Sequence, residues 1–211
     1  MKKVAPPPVG SAGTRSKTTT KIGRSGTRLE RSFFERPAVQ VAEALLGKCI
    51  VRRYRNRLIS SIITETEAYA GPGDRASRAF GGRHTHSVRA LYSHPGTVYV
   101  YLVYGMHWLL NLKAARPDQP QAVLIRGIRT NSGSSSGFIA GPGKTAKYLK
   151  VDSSLYGEDV TTSSRIWIED IGVRISSRQI IKAPRVGIDY AGSYWASKPW
   201  RFKIDIGTSI S

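Results

Sequence analysis

Residues 97–111 read TVYVYLVYGMHWLLN. Tyr99, Tyr101 and Val103 alternate with Val98, Val100 and Leu102 at the two-residue period of a β-strand, and Gly105 interrupts the run before a second apolar segment begins. The pattern predicts a β-hairpin. Hairpin tips ordinarily carry Asn, Gly or Asp facing water, whereas this one gathers Tyr104, Met106 and His107 around a single glycine. An apolar tip on a strongly basic chain suits a base stack, because proteins that kink DNA from the minor groove push apolar or aromatic wedges between base pairs.

Upstream lies ETEAY, residues 65–69. In a strand, Glu65 and Glu67 point to one face and Tyr69 extends that face by a step. For a glutamate in so basic a chain, pairing with a nearby arginine is the default expectation. A carboxylate at a strand end beside an aromatic slot also meets the needs of N-glycosidic hydrolysis, which are a base to activate water and a negative charge opposite an oxocarbenium-like sugar. Taken alone, Tyr99 and Tyr101 are ordinary sheet aromatics, and Asn111 and Arg126 carry no signal.

The charge bounds the partner more firmly than the chemistry. Thirty-three Lys and Arg stand against 14 Asp and Glu, a formal net charge of +19, which is the footprint of a nucleic-acid binder. Lys2, Lys3, Arg15, Lys17, Lys21, Arg24 and Arg28 precede the first acid, Glu30, amid Ser, Thr, Gly and Pro that build no core. The expectation is a disordered basic tail over residues 1–27 and one domain over residues 28–211, and the chain after residue 29 still carries about +12. Cys49 is the only cysteine, which excludes a disulfide framework and a cysteine zinc site and reads as an inert buried thiol. His84 and His86 have a metal-ligand spacing without companions and read as a basic loop. No apolar stretch is long enough for a membrane span. The expected protein is a soluble intracellular monomer, in the nucleoid or nucleus or in an organelle addressed by its acid-free tail.

Residues 37–46 (PAVQVAEALL) have helical spacing, a proline at the start and Gly47 as a stop. Residues 48–54 and 58–68 read as strands joined by a turn at Asn56, and residues 122–128 as another strand. Residues 71–82 form a Gly- and Pro-punctuated loop, residues 132–137 a Ser/Gly linker, and residues 141–149 a glycine-rich entry to a short helix. Residues 165–169, 185–190 and 201–205 read as short closing strands. Helices and strands do not alternate regularly, so the fold class is α+β, a single mixed α/β domain with an antiparallel sheet and a protruding hairpin.

These motifs together resemble the alkyladenine (3-methyladenine) DNA glycosylase family. The likeness runs from about Leu29 to Ile204 and rests on ETEAYAGPGD, PGTVYVYLVYGMHWLLN, AVLIRGI, GPGK, PRVGIDYAG and KPWRF. GPGK alone would carry little, since it is not a full phosphate-binding loop. The resemblance implies that Glu67 is the general base for the attacking water and that Arg126 helps to position it. It implies that Tyr69 and Tyr101 sandwich the flipped base above Asn111, and that Tyr104 fills the vacated stack with Met106 and His107 beside it. It further implies that Arg83 and Lys144 contact DNA, that no metal or organic cofactor takes part, and that the partner is double-stranded DNA containing damaged purines of the hypoxanthine, ethenoadenine and 3-methyladenine type. No amine nucleophile accompanies these residues, so simple hydrolysis to an abasic site is expected.

Three departures from the family pattern stand out. Arg78 occupies a position where the family has histidine, and its guanidinium should repel a cationic base while donating to neutral hypoxanthine. Thr85, His86, Ser87 and Val88 replace the family's Thr-x-Arg-Asn, and the Ser/Gly run at 132–137 replaces a helical segment. Two other readings stay open at this level: a DNA-binding relative without turnover, and a basic RNA-binding or ribosome-associated protein.

Overall fold

The structure, a computed structural model, describes residues 26–130 and 137–205. Most of residues 1–27 and of the Ser/Gly run therefore lie outside the described residues, although Thr27–Arg28 already forms the first strand, β1. Two short helices follow, α1 (Arg31–Phe34) and α2 (Ala38–Ala44). The second matches the spacing of residues 37–46, with Pro37 at its N-cap.

β2 (Cys49–Tyr54) and β3 (Arg57–Tyr69) form a hairpin whose turn residues, Arg55 and Asn56, both have positive φ, as a two-residue hairpin turn with right-handed strand twist requires. β4 (Val98–Val103) and β5 (His107–Ala114) form the hairpin read from residues 97–111, with Val98 opposite Leu112 and Val103 opposite His107. After them come β6 (Gln121–Thr130), β7 (Phe138–Ala140), α3 (Pro142–Tyr148), β8 (Ile166–Asp170), β9 (Ile180–Ala183), α4 (Ser193–Ala196) and β10 (Arg201–Ile204).

The strands join one sheet in the order β1-β8-β2-β3-β6-β5-β4, with β7 on β6 and β10 between β3 and β9. Every pairing of these strands is antiparallel, so the α+β class with an antiparallel sheet is what the chain adopts. β3 is the organising strand because its 13 residues outrun any single neighbour. β2 takes its first half and β10 its last residues on one edge, while β6 takes the other edge.

Period-two alternation gives this sheet two different faces. Ala68 on β3, Val123 and Ile125 on β6, Leu110 and Leu112 on β5, and Val98 and Val100 on β4 are buried together with Val41, Ala42 and Leu45 from the α2 region and Ala146 of α3. Each such Val, Leu or Ile contributes about 1.5–3 kcal/mol of hydrophobic stabilisation. Thr66, on the same face, donates its hydroxyl to the Ala42 carbonyl at 2.8 Å and ties α2 to the sheet. The intervening residues of these strands turn to the opposite face, which carries the site described below.

Residues 185–190 do not form a strand. Gly187 has φ 73° and Asp189–Ala191 make a 3-10 turn; Pro184 cannot donate to a ladder, and the Val186 N–H is spent on a side chain instead. The strand beside β10 is β9, just upstream. The basic loop read at His84 and His86 runs into a 3-10 segment at His86–Tyr92 with Val88, Ala90 and Leu91 buried. Cys49 is buried as expected, and desolvation pushes its thiol up to about 11. Among the described residues no helix is long and apolar enough to cross a membrane.

Candidate active site

One row of the sheet sets the floor of the site. Glu67 on β3 faces Leu124 on β6, Leu124 faces Asn111 on β5, and Asn111 faces Tyr99 on β4. Cross-strand partners share a face, so these four side chains stand in line over the side of the sheet away from α2. The loop of residues 71–92 and the segment 184–191 rise around them. A cavity of about 550 Å³ opens between, lined among others by Glu67, Tyr69, Arg78, Tyr101, Asn111 and Arg126. All six are residues that the family resemblance singled out.

Glu67 is fully buried. Its Oε1 accepts the Val186 N–H at 2.9 Å and its Oε2 accepts the Tyr69 hydroxyl at 3.0 Å. Arg126 Nη1 lies 3.6 Å from Oε1. Burial pushes the Glu67 carboxyl above the ordinary glutamate value, while Arg126, the Val186 N–H and the Tyr69 hydroxyl oppose the shift. The outcome is a buried carboxyl group oriented by two hydrogen-bond donors and an ion pair, an environment of the kind in which titrating side chains are tuned for proton transfer.

Glu65 meets a different fate. Its Oε1 lies 3.1 Å from both Arg126 Nε and Arg201 Nη1, and it does not line the cavity. The default ion-pair reading therefore holds for Glu65, which orients Arg126 from behind. Pairing of β3 with β6 is irregular here, with Glu65 opposite Gly127. A Cβ on Gly127 would lie 2.9 Å from the Glu65 Cβ, so only glycine allows the approach.

Tyr69 is backed by a buried ion pair that sequence reasoning missed. Arg185 and Asp74 are fully buried and joined by two contacts of 2.5 and 2.9 Å. The Arg185 guanidinium stacks 4.9 Å from the Tyr69 ring centre and 5.0 Å from that of Trp200. Asp74 also accepts the backbone N–H groups of Ala70 and Ala76, which fixes the loop as it leaves β3. Burial, then the Glu67 charge, pushes the Tyr69 hydroxyl well up, so it remains a donor. Val186 and Tyr190, also unanticipated, line the cavity from the 184–191 segment. The motif PRVGIDYAG was the available signal for this segment, but a strand assignment hid its function.

On the far wall, Tyr101 packs on Tyr99 with ring centres 5.2 Å apart, and the Arg78 guanidinium lies 4.6 Å from the Tyr101 ring centre. Burial pushes the Tyr101 hydroxyl up as well. Asn111 is buried, lines the cavity and donates Nδ2 to the Tyr99 carbonyl at 3.2 Å.

At the hairpin tip, Tyr104 and Met106 are 87% and 71% exposed, a large apolar area to leave facing water. Tyr104 reaches the cavity mouth. His107 lies over Gly143 at the start of α3, and with Met106, Trp108, Lys147 and Lys150 it lines a second hollow of about 450 Å³. Lys144 is exposed in the first turn of α3, and Arg83 is exposed beyond the 71–82 loop. Neither lines the main cavity. The His84 ring rests on Tyr92, 4.3 Å between centres, and among the described residues no group of three or more His, Cys, Asp and Glu is arranged to hold a metal ion.

Comparison with known proteins matches residues 32–207 to the family model of methylpurine-DNA glycosylase (MPG). A provisionally named 3-methyladenine DNA glycosylase of Natranaerobius thermophilus is 37% identical over 190 residues, covering 84% of this chain and 95% of that protein. One from Clostridium perfringens is 38% identical over 203 residues, covering 87% and 98%. The DNA-3-methyladenine glycosylase of Homo sapiens is 34% identical over 197 residues, covering 84% of this chain and 66% of the human protein.

Proposed function

Since the chain belongs to the methylpurine-DNA glycosylase family, we propose that it works as a monomer on duplex DNA, turns a damaged purine out of the stack and hydrolyses its N-glycosidic bond to leave an abasic site. The coarse activity, a DNA glycosylase of base excision repair acting on N-glycosyl bonds, follows from the family. Base flipping, a purine lesion of the hypoxanthine, ethenoadenine or 3-methyladenine type, and simple hydrolysis are the finer reading.

In this reading the extruded purine stacks between Tyr69 and Tyr101 over Asn111, and Tyr104 fills the gap left in the duplex, with Met106 and His107 beside it in the minor groove. Extraction costs a few kcal/mol and costs least for a damaged or mispaired base. A water aligned by Glu67 and Arg126 attacks the anomeric carbon. Its proton passes to the Glu67 carboxylate, the new bond forms between water oxygen and carbon, and the electron pair of the glycosidic bond departs with the base. Until it takes that proton, the negative charge of the Glu67 carboxylate favours the oxocarbenium-like sugar. Arg83 and Lys144 serve the phosphates, where each interaction adds affinity and salt dependence without reading sequence.

The single observation that carries this reading is the fully buried Glu67 carboxylate, held by two hydrogen bonds and the Arg126 ion pair at the floor of a tyrosine-walled cavity. A gel assay on duplexes containing hypoxanthine, ethenoadenine or 3-methyladenine tests it. The expected result is strands that stay intact until alkali and then break at the lesion. Tight binding with no alkali-labile site would instead mark a DNA-binding relative without turnover, and preference for RNA would remove the DNA reading altogether.

A further inference from the structure

The two tyrosines that wall the cavity each carry a guanidinium on the ring, and the two cations are electrically unlike. Arg185, on Tyr69, is buried and neutralised by its paired contacts with Asp74. Arg78, on Tyr101, is exposed, lines the cavity, and forms no ion pair among the described residues. Its charge is permanent. Beside it is the buried Tyr99 hydroxyl, close enough to Arg78 for the guanidinium to act on its ionisation. One wall of the slot thus offers an uncompensated cation able to donate to an acceptor on a bound ring.

A purine stacked on Tyr101 would sit within roughly 7 Å of that guanidinium, where two like charges at an intermediate effective dielectric repel by a factor of at least ~10 in affinity. The attraction of a tyrosine face for a cationic ring does not offset this, because Arg78 already draws on the electron density of Tyr101. We propose that this cavity selects neutral purines with a carbonyl or ring-nitrogen acceptor turned toward Arg78, such as hypoxanthine, over purines with a fixed positive charge, such as 7-methylguanine. The inference rests on the glycosylase reading above and names the substrate class of that site.

The test compares single-turnover release of 7-methylguanine and of hypoxanthine from otherwise identical duplexes by the full chain, by Arg78→Gln and by Arg78→Lys. Arg78 is exposed, so neither substitution opens a cavity in the core. The ratio of the cationic to the neutral rate should rise at least ~10-fold in Arg78→Gln, which removes the charge. In Arg78→Lys, which keeps it, the ratio should stay within about 3-fold of wild type. A merely structural role for Arg78 would lower both rates in step and leave the ratio unmoved. A ratio in Arg78→Gln within about 2-fold of wild type, with both bases still released, overturns the selectivity inference alone. Release of neither base by the unmodified protein overturns the glycosylase reading and this inference with it.

Discussion

Glu67 and Tyr69 are two residues apart on one strand face, and the hydrogen bond between them couples stacking to proton chemistry. Burial raises the Glu67 carboxyl, and the Tyr69 hydroxyl is one of the groups that hold it down. A general base works as its carboxylate, so the single-turnover rate should fall as pH drops through this raised value. Tyr69→Phe keeps the ring but removes the donor, which favours the protonated acid further. The acid limb of the pH–rate profile should move to higher pH in that variant; an unmoved or lowered midpoint would separate the two groups. Tyr104 poses a different test. Its φ is 52°, a left-handed conformation that costs a non-glycine residue about 1–2 kcal/mol, so the tip holds its aromatic ring at some expense to the fold. Tyr104→Gly should therefore melt at least as high as wild type while the fluorescence of a base analogue at the lesion site reports weaker flipping. Undiminished flipping would remove Tyr104 from the stack.

At the scale of elements, the site depends on the irregular pairing of β3 with β6. Gly127 lets Glu65 come close enough to hold Arg126, and a methyl group there would push on β3 between the two glutamates. Gly127→Ala should lower thermal stability by roughly 1–3 kcal/mol, the usual cost of overpacking, and slow base release more than Glu65→Gln does, readable from melts and single-turnover rates together. An unchanged melting temperature would mean that β3 yields freely there. Much of this arrangement is legible in the sequence. Strict alternation exposes the hairpins β2–β3 and β4–β5, and the paired spacing of Glu65, Glu67 and Tyr69 gives their common face. Which glutamate faces the cavity is not legible from spacing alone, since both lie on that face; the local slip opposite Gly127 and the two arginines on Glu65 decide it. The segment 184–191 misleads because Arg185, Val186 and Ile188 imitate a short strand, whereas their groups serve Asp74, Glu67 and a small cluster with Ala76 and Ala191. Arg185 and Asp74, 111 residues apart, leave no local signal of their pairing.

For the whole molecule, charge and chemistry should be separable. The formal net charge of +19 supplies affinity through phosphates, and the basic residues before position 25 are part of that charge. A variant lacking residues 1–24 keeps the β1 pairing with β8 and should retain a cooperative melt and the wild-type single-turnover rate. Its plot of log K against log salt should flatten by ~0.9 for each phosphate that the tail no longer neutralises; loss of the cooperative melt would make the tail part of the fold. The most direct test of the central claim, that Glu67 activates water in a protein built to capture an extruded purine, is to measure equilibrium binding and single-turnover base release for Glu67→Gln on one lesion duplex. Glutamine can still accept from the Val186 N–H through its amide oxygen and can donate its NH2 to the Tyr69 hydroxyl, but it cannot take the proton, so the prediction is a Kd within about 3-fold of wild type and release slower by at least ~100-fold. Release at close to the wild-type rate, or loss of binding and release together, would contradict it.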